Sequence, residues 1–190
     1  VLKAKRAAAK IERGIEEQGK RHAKGGRPDR QHEIASMQEE FRKAVRSLKT
    51  SKLGRGGGDA LATLPWYVIV GPPGGGKTTA LLNSGIKMPY QAKRGVRGVG
   101  GTRNCDWWLT NHAIILDTAG RWTTEDDDHE EWLAFLDLLK RTRPSKPLNG
   151  VLLAVAVDRL EPDEDKLAEL AEKLRERLDE LEDQQVKTSE

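Results

Sequence analysis

The chain has 190 residues, enough for one domain of ordinary size with an appendage and a core of its own. A third of the residues are charged, but 33 Lys and Arg against 30 Asp and Glu leave a formal net charge of only +3, too small to argue for nucleic acid as a partner. A lone cysteine, Cys105, excludes an internal disulfide and suits a reducing, cytosolic compartment, and the longest apolar run, Val151 to Val157, falls far short of the roughly 18 residues that a membrane-spanning helix needs.

The sequence starts on valine with no signal-peptide pattern, so it reads as a piece of something longer. Charge is unevenly placed: 16 cations against 7 anions from Val1 to Gly58, 11 against 11 from Asp59 to Asp158, and 5 against 11 from Arg159 to Asp183. Val1 to Lys24 is rich in Ala, Lys, Arg and Glu and favours a solvated helix, its apolar positions being too sparse for a buried face. After "GGRPD" a second helix carries Ile34, Met37, Phe41, Val45 and Leu48 along one stripe, which should pack on something. Apart from Phe41 this basic region has no aromatic residues among its cations, a further argument against nucleic acid. The glycine-rich stretch Thr50 to Gly58 reads as a joint, dividing a basic helical extension over 1–58 from a second domain over 59–190.

Beyond the joint, short apolar strands alternate with helical segments, which predicts an α/β fold with a mostly parallel sheet flanked by helices. "WYVIV" is a candidate buried strand and "KTTALLNSG" a short helix; "CDWWLT" and "AIILD", joined by a tight "NH" connection, read as an antiparallel pair. Trp107 and Trp108 are adjacent on a strand and must face opposite sides, one toward core and one toward a sheet or partner contact. His112 reads as turn surface. A helix with Trp132, Phe135, Leu136 and Leu139 on one face follows, then "GVLLAVAV" as another fully buried strand. Asp163 to Asp183, with Leu167, Leu170, Leu174, Leu178 and Leu181 at helical spacing, is expected to be a surface crossover helix.

"GPPGGGKTT", residues 71 to 79, satisfies the phosphate-binding loop pattern in Gly71, Gly76, Lys77 and Thr78, with a strand before it and a helix after. Gly71, Pro72, Pro73, Gly74, Gly75 and Gly76 form a backbone cradle whose N–H groups can approach phosphate oxygens, and Thr79 extends it into the helix, whose positive dipole end faces the ligand. Lys77 can neutralise β- and γ-phosphate charge, and Thr78 offers a hydroxyl to Mg²⁺. "AIILDTAG" ends a second strand: Asp117 could hold the metal, and the Gly120 N–H could meet the γ-phosphate. Between these motifs, Thr102 in "GVGGTRN" is placed to close on Mg²⁺ as a first switch. The expected architecture is therefore a P-loop NTPase of the small-GTPase kind, with Mg²⁺ and ATP or GTP as ligands.

Catalysis is less well provided for. Where a small GTPase carries a water-positioning glutamine, this chain has Arg121, which cannot act as a base near neutral pH, so intrinsic hydrolysis should be slow. Arg103 or Arg121 could stabilise γ-phosphate charge, or Arg121 could pair with the acidic run Glu125 to Asp128. That run suits a helix start through the helix dipole better than it suits a metal site.

The stretches "LPWYVIVGPPGGGKTTALLNSG", "GVGGTRNCDWWLT", "AIILDTAGRWTT" and "WLAFLDLLKRTRPSKPLNGVLLAVAV", in this order, resemble the TssM (IcmF-like) family of large inner-membrane subunits of the bacterial type VI secretion system. The similarity covers roughly Leu64 to Leu160, Arg121 included, and Val1 to Gly58 looks like the family's segment after its second membrane helix. The resemblance implies a position on the cytoplasmic face of the inner membrane, with attachment through segments outside these residues. It also implies an envelope complex with a second inner-membrane subunit, an outer-membrane lipoprotein and contacts to the baseplate. ATP or GTP binding is implied, though hydrolysis is not uniformly required in the family. A base-reading "NKxD" element is absent, so the base is not specified. A rival expectation is a docking scaffold whose nucleotide site is vestigial.

Overall fold

The computed structural model describes residues 28–50, 63–87, 104–160 and 163–186. The helix expected over Val1 to Lys24, most of the joint, and both Thr102 and Arg103 lie outside them. Helix α1 (Pro28–Thr50) precedes strand β1 (Trp66–Val70), which leads into α2 (Lys77–Asn83). Strands β2 (Cys105–Leu109) and β3 (Ile114–Thr118) follow, then α3 (Arg121–Thr124), a single 3-10 turn at Asp126–Asp128 and α4 (His129–Thr142). Strand β4 (Gly150–Leu153) and the long helix α5 (Glu164–Val186) complete the described chain.

The four strands form one sheet in the order β2-β3-β1-β4. β1 lies parallel to β3 on one side and to β4 on the other, whereas β2 runs antiparallel to β3. The protein is thus α/β with a mixed sheet and flanking helices. The hairpin turn forms because Thr110 Oγ1 accepts hydrogen bonds from the His112 and Ala113 amides at 3.1 and 2.8 Å, so one side chain satisfies the tight "NH" connection. His112 is exposed there, as ordinary turn surface.

Each face of the sheet buries its own apolar set, as alternation along a strand requires. On one face Trp66, Val68 and Val70 of β1 join Trp107, Ile114 and Leu116 under α1 and α4. The stripe of α1 is what covers them: Phe41 stands edge-on to Trp107 at 4.5 Å between ring centroids and lies 6.4 Å from Trp66. On the other face Ile69, Trp108 and Ile115 pack with Leu81 of α2. Trp107 and Trp108 do face opposite sides, and both are buried. Trp132, Phe135, Leu136 and Leu139 of α4 are all in the core.

β4 departs from expectation. The run "GVLLAVAV" is not a fully buried strand: only Gly150–Leu153 pair, and Leu152 and Leu153 are 45% and 48% exposed. The reason is position, since among the described residues β4 is the outermost strand with β1 on one side only. Helix α5 buries Leu174 and Leu181 and makes its main contacts with α3 and α4. Among the described residues no helix is long and apolar enough to cross a membrane.

Candidate functional site

The glycine loop links β1 to α2 at the end of the central strand. Gly71 takes φ 149°, and a Cβ there would lie 2.0 Å from the Ala154 carbonyl oxygen, so no other residue fits where the loop passes β4. Gly74 and Gly76 also have left-handed φ, 70° and 77°. The loop closes on itself through the Gly75 N–H, which donates to the Pro72 carbonyl at 3.1 Å.

Lys77 points inward: it is 7% exposed, and its ammonium donates to the carbonyls of Gly71 at 2.7 Å and Pro72 at 3.1 Å. Burial lowers its pKa from the ordinary lysine value, and the negative charge of nearby Asp117 opposes that shift. The Thr78 hydroxyl donates to Asp117 Oδ2 at 2.6 Å, which joins the start of α2 to the end of β3. Asp117 is completely buried, held there by the parallel pairing of β3 with β1. A hydroxyl and a carboxylate side by side are hard oxygen donors of the kind Mg²⁺ takes from proteins.

The third contact between the motifs is steric. A Cβ on Gly120 would lie 2.5 Å from both Cα and N of Pro73, so the backbone after Asp117 rests directly against the loop. Thr123 Oγ1 adds a hydrogen bond to the Gly71 carbonyl at 3.2 Å. The fold therefore brings together Gly71, Pro72, Pro73, Lys77, Thr78, Asp117 and Gly120. Thr79 is exposed on α2.

Arg121 is the side chain whose role the sequence left open. Its guanidinium pairs with Asp128 Oδ2 at 2.8 Å and Glu131 Oε2 at 2.6 Å, and donates to Asn104 Oδ1 at 2.9 Å. Burial works to lower its pKa, but the hydrogen bonds to Glu131 and Asp128 outweigh it and hold the pKa above the ordinary arginine value. The acidic run thus forms a 3-10 turn leading into α4, and one of its members grips Arg121.

Several residues beside the site carry no local sequence signal. Glu131, 3% exposed, also accepts the Trp122 indole N–H at 3.1 Å. Arg177 of α5 donates to the Trp122 carbonyl at 3.1 Å, and Lys173 to the Thr124 carbonyl at 3.1 Å, so α5 grips the end of α3. Glu180 accepts from Arg177 and from Trp132 Nε1 at 2.7 Å, and its Oε1 lies 2.6 Å from His129 Nε2. The contacts of α5 with Trp122, Thr124, His129 and Trp132 join residues about fifty positions apart, and only the helix stripe of α5 hinted that it would dock at all.

The fold and site define an α/β protein whose central strand feeds a glycine-lined loop set against a buried acidic strand end. The family described as IcmF-related N-terminal domain matches residues 125–186, from the turn before α4 through α5. The type VI secretion system component TssM1 of Pseudomonas aeruginosa is 48% identical over 157 residues, which cover 78% of this chain and 14% of that protein. The chain belongs to the TssM/IcmF-like family. No solved structure matches it.

Proposed function

We propose that this region binds a nucleoside triphosphate, ATP or GTP, with Mg²⁺, hydrolyses it slowly at most, and serves as a switch in a type VI secretion subunit. The observation that carries the reading is the direct bond from Thr78 to Asp117, which joins two phosphate-site motifs separated by 39 positions. Lys77 would exchange the Gly71 and Pro72 carbonyls for β- and γ-phosphate oxygens, a stronger partnership for a buried ammonium. Thr78 and Asp117 would hold the metal, with Thr102 as a further ligand, and the Gly120 N–H would meet the γ-phosphate. Mg²⁺ supplies charge neutralisation between the phosphates.

Slow turnover follows from Arg121. It stands where a glutamine would orient water, and its donors are engaged by Asp128, Glu131 and Asn104. Arg103 remains the candidate for stabilising γ-phosphate charge. In this reading, which the resemblance to TssM supports, the domain would lie on the cytoplasmic face of the inner membrane, within a complex containing a second inner-membrane subunit and an outer-membrane lipoprotein and touching the baseplate. There the triphosphate would regulate assembly or firing.

Titration with labelled ATP and GTP should show saturable binding that Lys77→Ala abolishes, and a folded protein that binds neither would defeat the proposal. The engagement of Arg121 also favours a second reading, a docking scaffold with a non-hydrolysing site. If Lys77→Ala and Asp117→Ala leave complex assembly and secretion unchanged in cells, that reading replaces the first.

A further inference from the structure

Just after β3, the Arg121 side chain ties several parts of the chain together. Arg121 reaches three acceptors from three parts of the chain: Asn104 just before β2, Asp128 in the turn before α4, and Glu131 in the first turn of α4. Asn104 is itself 3% exposed, and its carbonyl accepts the Ala119 N–H at 2.7 Å. Side chain and main chain of Asn104 therefore hold both ends of the short segment Ala119 to Arg121. Asn104 Nδ2 also lies 3.5 Å from Glu33 Oε2, which links the same point to α1. On the opposite side Gly120 has no room to move, because even a methyl group there would collide with Pro73.

We propose that Arg121 is a positioning residue for triphosphate recognition: by clasping Asn104, Asp128 and Glu131 together, it fixes the Gly120 N–H against the phosphate loop and ties it to the chain two residues after Thr102. The inference rests on the nucleotide-binding reading above. A planar guanidinium with several donors can serve three acceptors in fixed directions, which an ammonium on a flexible stem cannot do equally well. In this arrangement Arg121 is not a phosphate ligand. It sets the frame in which the segment after β3 faces the phosphate, and Glu131 carries that frame into α4. A diphosphate has no γ-phosphate for the Gly120 N–H to meet, so the clasp should matter for the triphosphate alone.

The test measures binding of fluorescent ATP, GTP and the matching diphosphates, with Mg²⁺, to the full chain and to Arg121→Gln, Arg121→Lys and Asn104→Ala. Arg121→Gln is expected to weaken triphosphate binding by about tenfold or more while diphosphate affinity stays within about twofold. Arg121→Lys should recover only part of the loss, and Asn104→Ala should weaken triphosphate binding in the same sense. Combining Arg121→Gln with Asn104→Ala should cost less than the two separate effects added, because both break one contact. Thermal unfolding checks each variant. If Arg121→Gln does not fold, Asn104→Ala decides the matter, since it removes the side-chain acceptor and keeps the backbone bond to Ala119. Equal weakening of triphosphate and diphosphate, or unchanged triphosphate affinity in a folded variant, overturns the clasp. Wild-type protein that binds neither nucleotide overturns the underlying reading as well.

Discussion

Lys77, Thr78 and Asp117 form a compact charge arrangement in which the ammonium, the hydroxyl and one carboxylate oxygen already have protein partners. Any phosphate must compete with those partners, so affinity depends on how well the cradle is shaped. Gly120 is the most sensitive point of that shape. Gly120→Ala is expected to displace Pro73 and abolish nucleotide binding while the protein still unfolds cooperatively, as binding titrations paired with circular dichroism would show. Glu180 offers a separate test in pH. Burial alone would raise its pKa, but hydrogen bonds from His129, Arg177 and Trp132 and the Arg177 charge bring it below the ordinary value of 4.5. The folded state thus binds that proton less readily than the unfolded chain does. Its stabilising contribution is complete above 4.5 and is lost as pH falls through the lowered value in the folded state. Glu180→Gln should accordingly flatten the acid side of the stability profile measured by urea unfolding at successive pH values. At this scale the glycine loop was legible because its backbone geometry dictates residue type. The clasp on Arg121 was half legible: Asp128 lies in the nearby acidic run, whereas Glu131 and Asn104 look like ordinary helix and strand-end residues.

Elements with a strong period were read correctly because period and burial have the same cause. The stripe of α1 and the face of α4 are apolar where they meet the sheet, and alternation separated Trp107 from Trp108. The run from Val151 to Val157 was misread because a continuous apolar stretch looks the same whether or not a neighbour covers it, and among the described residues β4 has only one neighbouring strand. The two cases predict opposite costs. Phe41→Ala should destabilise the protein by about 3–5 kcal/mol, since it removes a fully buried ring packed against Trp107 and Trp66. Leu152→Ala, at a half-exposed outer strand, should change stability by no more than about 1 kcal/mol. Urea unfolding followed by tryptophan fluorescence would measure both. A small loss at Phe41 would mean that α1 is a loosely attached arm; the predicted loss would mean that it is part of the core.

Over the whole molecule, α1, the sheet and α4 share one apolar core, and the candidate site sits where the central strand leaves it. That arrangement gives the loop a rigid floor, and α5 reaches the same region through its grip on α3. The chain spans 14% of the length of TssM1 of Pseudomonas aeruginosa. Hydrogen exchange of the full chain, with and without Mg²⁺ and ATP or GTP, tests the central claim most directly. The account predicts slowed exchange over Gly74 to Thr78 and over Ala119 and Gly120 with at least one of the two nucleotides, absent in Lys77→Ala. Unchanged exchange in both segments with saturating ATP and with saturating GTP would contradict it.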